Sequence, residues 1–108
     1  MNRETSSLAR QKPSNWKAFQ IMHYFYILYS EKRDRYYYGH SSDVDIRLVR
    51  HNEGWSKSTK SGIPWKLVYY EKYSTKSEAI KRELEVKGWK SRKLVVDLIE
   101  NWKNKKLN

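Results

Sequence analysis

The chain has 108 residues, of which 23 are lysine or arginine and 12 are aspartate or glutamate, so its formal net charge is +11. The absence of cysteine excludes disulfides and thiolate zinc sites, and three scattered histidines offer no transition-metal cluster, so any metal should be a hard cation on oxygen ligands. No apolar stretch approaches the roughly 20 residues of a membrane-spanning helix, and the N-terminus lacks the apolar core of a secretory signal. We therefore expect one cytoplasmic domain whose partner is a polyanion, because each neutralised phosphate releases counterions.

Residues 1–21 show no sustained periodicity and include Pro13, which predicts a mobile basic tail ahead of a domain that begins at Met22. Two interpretations of the tail stay open. It is either an arm that contacts phosphates or a dispensable extension of a chain whose natural start is Met22.

Two aromatic-rich segments, residues 24–29 and 36–39, flank a short charged connection and predict a β-hairpin, because aromatic side chains suit a pleated surface. Each strand carries a tyrosine of interest, Tyr26 on the first and Tyr37 on the second. Aromatic pairs commonly stabilise neighbouring strands, so taken alone these phenols are more consistent with packing than with chemistry.

A helix is predicted next, over residues 43–52. Ser42 is the expected N-cap, with Asp45 three residues later at the positive helix N-terminus. Val44 and Leu48 lie four residues apart and predict a stripe that faces the core.

The same helix has a basic face, on which Arg47 and His51 share a spacing of four residues with Arg50 beside them. Such faces are ordinarily only solvated. Here the face begins four residues after the hairpin ends, so Arg47 can return over the sheet toward Tyr37.

Residues 55–62 form a loop rich in small polar and cationic residues, a composition that suits either contact with phosphates or simple flexibility. The stretch that follows, residues 65–73, is the most strand-like of the sequence. We expect it to pair with the hairpin and complete a three-stranded sheet.

A second helix should begin at a capping box formed by Thr75 and Glu78 and end near residue 88. The apolar residues of its packing side are Ala79, Ile80 and Leu84. Glu83 lies next to this stripe. An ordinary role exists for Glu83, since Lys87 is placed four residues later for a helix-supporting ion pair.

The last predicted helix is the clearest amphipathic one. Its apolar positions recur with helical spacing at Leu94, Val95, Leu98, Ile99 and Trp102. It should cover the sheet, with Leu94, Leu98, Ile99 and Trp102 buried. The domain is expected to end at residue 103 and to be followed by a basic tail, residues 104–108.

Taken in order, four segments resemble the motifs of the GIY-YIG nuclease superfamily, and most closely its small stand-alone members related to the nuclease domain of an excinuclease. The segments are Tyr24-Phe25-Tyr26, Tyr37-Tyr38-Gly39, residues 42–52 with Arg47, and residues 78–83 with Glu83. The resemblance covers residues 23–102. Tyr24 and Phe25 replace the glycine and isoleucine that name the first motif, and the asparagine that some members carry after the glutamate has no clear match.

The resemblance implies an α+β domain with a three-stranded antiparallel sheet and about three helices, and it implies a divalent-metal-dependent DNA endonuclease with a role in DNA repair. In such an enzyme Glu83 holds Mg²⁺ or Mn²⁺, and Arg47 binds the scissile phosphate. Tyr26 or Tyr37 orients or deprotonates the attacking water, with His51 as a candidate helper. The cations expected to contact the nucleic acid are Arg50, Lys57, Lys60 and Lys66.

Two alternatives remain open from the sequence. One is a non-catalytic nucleic-acid-binding module, against which the joint presence of Tyr26, Tyr37, Arg47 and Glu83 speaks, since binding alone needs no acidic residue facing phosphates. The other is a nuclease that cleaves RNA. The sequence contains no specificity domain, which is compatible with targeting by a protein partner.

Overall fold

A computed structural model describes residues 21–107, so residues 1–20 of the expected N-terminal tail lie outside the described part of the chain. Three strands form one sheet: β1 (His23–Ser30), β2 (Arg35–Ser41) and β3 (Trp65–Tyr73). The sheet is antiparallel with the order β2-β1-β3. The predicted hairpin, the predicted third strand and the α+β fold class are confirmed.

The register of the hairpin decides which side chains share a face. Tyr26 of β1 lies opposite Gly39 of β2, and Leu28 lies opposite Tyr37. Because successive side chains of a strand point to opposite faces, Tyr26 and Tyr37 are on one face of the sheet, and Phe25 is on the other.

The first helix, α1 (Val44–Asn52), is capped by Asp43, whose carboxylate accepts the backbone N–H of Ile46 at 3.0 Å. The prediction of Ser42 as N-cap was wrong by one residue. A carboxylate at the positive end of a helix accepts a stronger, charge-assisted hydrogen bond than a hydroxyl does. The stripe of Val44 and Leu48 packs against the sheet as predicted.

The second helix, α2 (Lys76–Trp89), has the predicted capping box of Thr75 and Glu78. The prediction that Leu84 packs inward was wrong, because its side chain is 62% exposed. The residues buried along this helix are Ala79, Glu83 and Val86. The helix is therefore rotated by about one residue relative to the expected stripe, and this rotation turns Glu83 toward the sheet.

The third helix, α3 (Arg92–Leu107), covers the sheet as predicted, with Val95 and Ile99 buried. Leu98 and Trp102 were also predicted to be buried, but they are only half-buried at the edge of the core. Leu94 was predicted to be buried, which was wrong, since it is 47% exposed. Val95, one residue later, occupies the core position instead. The helix continues four residues past the expected domain end at residue 103.

The sheet thus has two covered faces. The α1 face contains Tyr26, Leu28 and Trp65 together with half-buried Tyr37, Val44 and Leu48. The α2/α3 face contains the buried residues Phe25, Ile27, Tyr69, Val86, Val95 and Ile99. No helix within residues 21–107 has the length and apolar character needed to cross a bilayer.

Candidate active site

Tyr26 lies at the centre of the α1 face and is only 1% exposed. A Cβ atom at Gly39, its partner on β2, would lie 2.5 Å from the Tyr26 hydroxyl oxygen and 2.6 Å from Cζ. Carbon atoms do not approach other atoms that closely. Glycine at position 39 is therefore what allows the Tyr26 ring to lie across β2.

A chain of buried polar groups begins at this phenol. The Tyr26 hydroxyl lies 3.2 Å from Nε2 of His51, and Nδ1 of His51 lies 2.9 Å from Oγ1 of Thr59. The Thr59 hydroxyl in turn donates to the carbonyl oxygen of Ser56 at 3.3 Å, an oxygen that can only accept. Thr59 must then accept the hydrogen bond of His51 Nδ1–H, so Nε2 is the acceptor and Tyr26 donates to it.

The protonation states of His51 and Tyr26 agree with a hydrogen bond donated by the Tyr26 hydroxyl to Nε2 of His51. Burial lowers the pKa of His51 below its ordinary value, and the charge of Arg47 lowers it further, so the imidazole is neutral at pH 7. Burial raises the pKa of Tyr26, as do Tyr37 and the charge of Glu83, whereas Arg47 opposes the shift by charge and by hydrogen bonding. Tyr26 thus keeps its proton, and the charges of Arg47 and Glu83 shift the pKa of its hydroxyl in opposite directions.

Tyr37 forms a wall of the site. The centre of its ring lies 4.8 Å from that of His51 and 6.4 Å from that of Tyr26. On another side, the centre of the Trp65 ring lies 6.2 Å from that of Tyr37. Trp65 is itself fixed, because Asn52 at the end of α1 bonds both its backbone N–H and its carbonyl oxygen, at 2.6 and 3.0 Å.

The loop that was expected to be either flexible or in contact with phosphates has a packed interior. Thr59 is 1% exposed, and the indole N–H of Trp65 donates to its carbonyl oxygen at 2.7 Å. A single 3₁₀ turn (Lys60–Gly62) closes the loop. Sequence analysis did not identify Thr59 as a site residue, and no local pattern marks it, since its role depends on contact with His51 across the loop.

Glu83 approaches from the other side of the edge strand β2. Its Oε1 accepts a hydrogen bond from Nδ1 of His40 at 2.6 Å, and its Oε2 pairs with the Lys87 ammonium at 2.7 Å. Burial alone would raise the pKa of this carboxyl, but the hydrogen bonds from His40 and Lys87 hold it below its usual range. The ion pair with Lys87 that was the ordinary explanation for Glu83 is present, together with a second partner.

His40 is a site residue that the sequence analysis missed. It follows Gly39 directly, so strand alternation turns its side chain to the face opposite Tyr26, where α2 passes. That alternation was the available signal. Its contact with Glu83 places an ionised carboxylate beside the point where the Tyr26 ring crosses the edge strand.

The residues present fit a hydrated divalent ion better than a protein cage. Among residues 21–107 there is no group of three or more histidine, aspartate or glutamate side chains that could hold a metal. Mg²⁺ commonly keeps several waters and is bound by one or two carboxylates together with substrate phosphates. The single ionised carboxylate of Glu83 meets that requirement.

The four cations expected to bind nucleic acid are not all near the tyrosines. Arg50 stacks over the ring of Trp55 at 4.8 Å, and Lys57 and Lys60 are exposed on the loop beyond α1. Lys66, by strand alternation, points to the face opposite Trp65 and pairs with Glu31 at 3.1 Å. The structure therefore leaves Lys66 away from the α1 face.

A family model covers the segments that carry these candidate residues. The family model described as the GIY-YIG catalytic domain matches residues 22–95, a range that includes Tyr26, Tyr37, Arg47 and Glu83. A UPF0213 protein of Staphylococcus saprophyticus is 43% identical over 72 residues, which are 66% of this chain and 87% of that protein. A UPF0213 protein of Staphylococcus epidermidis is 50% identical over 54 residues, 49% of this chain and 66% of that protein. The solution NMR structure of a UPF0213 protein from Bacillus halodurans is 35% identical and covers 73% of this chain and 83% of its own, with a TM-score of 0.47.

Proposed function

The chain belongs to the GIY-YIG catalytic-domain family, a nuclease family, and from this premise we propose that it is a divalent-metal-dependent endonuclease that hydrolyses phosphodiester bonds in DNA. The observation that carries the proposal is the hydrogen-bonded chain from Tyr26 through His51 to Thr59. A buried phenol needs a hydrogen-bond acceptor in any case, and here the acceptor is a neutral imidazole nitrogen, which can also take up the phenol proton. The net charge of +11 supports a nucleic-acid substrate.

Tyr26 and His51 together provide a route for the proton of the attacking water. The phenol oxygen accepts a proton from the water while the phenol proton passes to Nε2 of His51, so Tyr26 does not have to ionise in the resting enzyme. Thr59 holds the Nδ1–H of His51 and thereby keeps Nε2 as the acceptor. Tyr37 packs against the imidazole and helps to orient the water. This division of roles assigns proton transfer to Tyr26, a choice that the sequence left open.

Arg47 binds the scissile phosphate through its planar, exposed guanidinium. The same positive charge holds the pKa of His51 down in the free enzyme. A bound phosphate neutralises part of that charge, so His51 becomes a better base when the substrate is in place. Proton transfer is in this way favoured only in the complex.

Glu83 is the residue that would hold Mg²⁺ or Mn²⁺, and the bound ion would supply positive charge to the phosphoryl and leaving oxygens. Lys87 now occupies one carboxylate oxygen, but its side chain is 47% exposed and can swing into solvent. His40 remains on the other oxygen and fixes the carboxylate's orientation.

A cleavage assay tests the proposal. The wild-type protein should cut DNA among flapped, branched, nicked and linear substrates in Mg²⁺ or Mn²⁺, and it should cut nothing in EDTA. Glu83→Ala should abolish cleavage while binding in EDTA stays unchanged or becomes slightly tighter, because the change removes a negative charge and no phosphate donor. Glu85→Ala is the matched control: Glu85 is on the same helix, is 59% exposed and pairs only with Arg82 among the described residues, so its loss should leave cleavage unchanged.

The same assay separates the competing functions. Cleavage confined to RNA would reassign the substrate and keep the mechanism. Binding without cleavage of any substrate, with either metal, would reject the proposal in favour of a non-catalytic nucleic-acid-binding module.

A further inference from the structure

A small cavity adjoins the candidate active site on the α1 face. Its volume is about 190 Å³, and it lies between the hairpin turn and the loop that precedes β3. Its lining includes Arg33, Arg35, Tyr37, Ser58, Thr59 and Ser61, together with the aromatic side chains of Tyr36 and Trp65. Tyr37 and Thr59 belong to the catalytic constellation as well, so the two sites share a wall. Among the described residues, no carboxylate lines this cavity.

The acidic residues of the hairpin turn are engaged elsewhere. The carboxylate of Asp34, which stands between the two arginines in sequence, accepts from the Tyr29 hydroxyl at 2.6 Å and pairs with Arg92 at 2.5 Å. Glu31 pairs with Lys66. Arg33 and Arg35 have no ion-pair partner within residues 21–107. The cavity is therefore lined by two arginines that have no ion-pair partner among the described residues.

The walls of the cavity are joined by buried hydrogen bonds. Ser30 is fully buried, and its hydroxyl accepts from the backbone N–H of Arg33 at 3.1 Å while donating to the carbonyl oxygen of Gly62 at 2.6 Å. One side chain thus ties the hairpin turn to the loop. A Cβ at Gly62 would lie 2.5 Å from Cζ2 of Trp65, so glycine at this position allows the loop to close against the indole. The arrangement is built before any ligand arrives.

We propose that this cavity binds a second phosphate of the substrate, on the strand that is cut, and this inference rests on the proposed nuclease function. Guanidinium groups with hydroxyls around them are the groups that recognise a phosphate. A volume of about 190 Å³ is below the roughly 300 Å³ at which pockets for small-molecule ligands begin, so the cavity suits a phosphate and not a whole nucleotide.

The sheet geometry sets the distance from Tyr37, the wall that the two sites share, to the second phosphate. Arg35 is two residues from Tyr37 on the same face of β2, which corresponds to about 7 Å along the strand. One strand of DNA advances about 3.4 Å per nucleotide along the helix axis. The second phosphate therefore lies about one or two nucleotides from the part of the substrate that contacts Tyr37, and the substrate must extend past Tyr37 to reach it.

The test is a scan with DNA in which a single phosphate is replaced by a neutral methylphosphonate, one linkage at a time, with affinity measured by fluorescence anisotropy in EDTA. In the wild type, one or two adjacent linkages should lower affinity clearly more than the others. The double variant Arg33→Gln/Arg35→Gln should bind unmodified DNA about 10-fold to 100-fold more weakly. It should also lose its sensitivity to methylphosphonate at those linkages and at no others. Once the arginines are gone, neutralising the phosphate that they contact has no further effect, so the two changes are not additive.

Two further variants make the result specific. Lys76→Gln/Lys81→Gln removes the same charge from exposed positions of α2 and should weaken binding equally for every oligonucleotide, leaving the positional pattern intact. Ser58→Ala/Ser61→Ala removes hydroxyls without changing the charge and should reduce sensitivity at the same linkages by a smaller, roughly threefold factor.

A wild type in which no linkage stands out would overturn the proposal, as would an arginine double variant that keeps the wild-type pattern. Because binding is measured without metal, the outcome is independent of cleavage. A protein that shows the positional pattern but cuts nothing loses the nuclease assignment and retains the phosphate site. An active nuclease without the pattern loses only the phosphate site.

Discussion

The two faces of the sheet are built from alternate residues of the same strands, yet they are held together in different ways. On the α2/α3 face, side chains such as Phe25, Ile27 and Val86 are buried by apolar packing. On the α1 face, Tyr26, His51 and Thr59 are equally buried but are joined by hydrogen bonds. Apolar packing tolerates small shifts, whereas a buried polar group must keep its partner. The geometry of the α1 face is therefore the more strictly fixed of the two, as the proposed reaction requires.

The buried polar side chains of the α1 face all have hydrogen-bond partners. No buried side-chain nitrogen or oxygen among the described residues lacks a hydrogen-bond partner. Since an unpaired buried group costs about 1–3 kcal/mol, a network of this kind persists only when each member is satisfied. The comparison leads to a simple expectation. Substitutions in the polar chain of the α1 face should damage the reaction, whereas substitutions on the α2/α3 face, apart from Glu83 and its partner His40 at the edge strand, should damage stability.

The largest expected effect is on the reaction. Tyr26→Phe should lower the single-turnover cleavage rate by about 10²-fold to 10⁴-fold, because it removes the hydroxyl that passes a proton to His51 and keeps the ring. Tyr38→Phe removes a hydroxyl from the α2/α3 face of β2 and should leave the rate within about twofold of wild type. Equal rates for the two variants would show that the faces do not differ in function.

An intermediate effect is expected on stability. Ile99 is 4% exposed on the α2/α3 face, so Ile99→Ala should lower the free energy of unfolding by about 2–5 kcal/mol. Leu94→Ala on the same helix should lower it by about 0.5 kcal/mol or less, because that side chain is 47% exposed. Urea titration followed by circular dichroism measures both. A larger loss for Leu94→Ala would mean that α3 is rotated from the position described.

The smallest effect concerns pH. The pKa of His51 is lowered by burial and by Arg47, so kcat/KM should be level above about pH 6.5 and should fall only below it, as His51 gains a proton and stops accepting one from Tyr26. The free energy of unfolding should change in the same direction. The pKa of His51 is higher in the unfolded chain than in the folded protein, so the unfolded chain takes up the proton first as the pH falls below the ordinary pKa of histidine. The folded state therefore loses stability in that pH range. An acidic limb centred above pH 6.5 would contradict the assignment of His51.

Most of the fold and part of the candidate site could be predicted from the sequence. The three strand segments and the capping box at Thr75 and Glu78 depend on neighbouring residues, and these predictions were confirmed. The rotation of a helix on the sheet depends on tertiary packing, which is why Leu84 and Leu94 were wrongly placed inside. A strong apolar residue one position away from the true stripe cannot be distinguished by periodicity alone.

The contacts that orient the polar groups of the site could not be predicted from local sequence patterns. His51 with Thr59 and His40 with Glu83 are pairs brought together by the fold, and in the second pair the partners are 43 residues apart. The motifs located Tyr26, Tyr37, Arg47 and Glu83 as candidates, and their catalytic roles remain a proposal. The polar partners that orient those candidates became visible only in three dimensions.

The most direct test of the account is the single-turnover cleavage rate of His51→Gln on DNA that the wild type cuts in Mg²⁺, with His23→Gln as the matched control and affinity measured in EDTA. His51 accepts the Tyr26 proton in this account, so His51→Gln should lose about 10²-fold or more in rate while its affinity for DNA stays near that of the wild type. His23→Gln should be unchanged in both. A folded His51→Gln variant that cuts at the wild-type rate would contradict the claim that the buried polar chain of the α1 face carries the reaction.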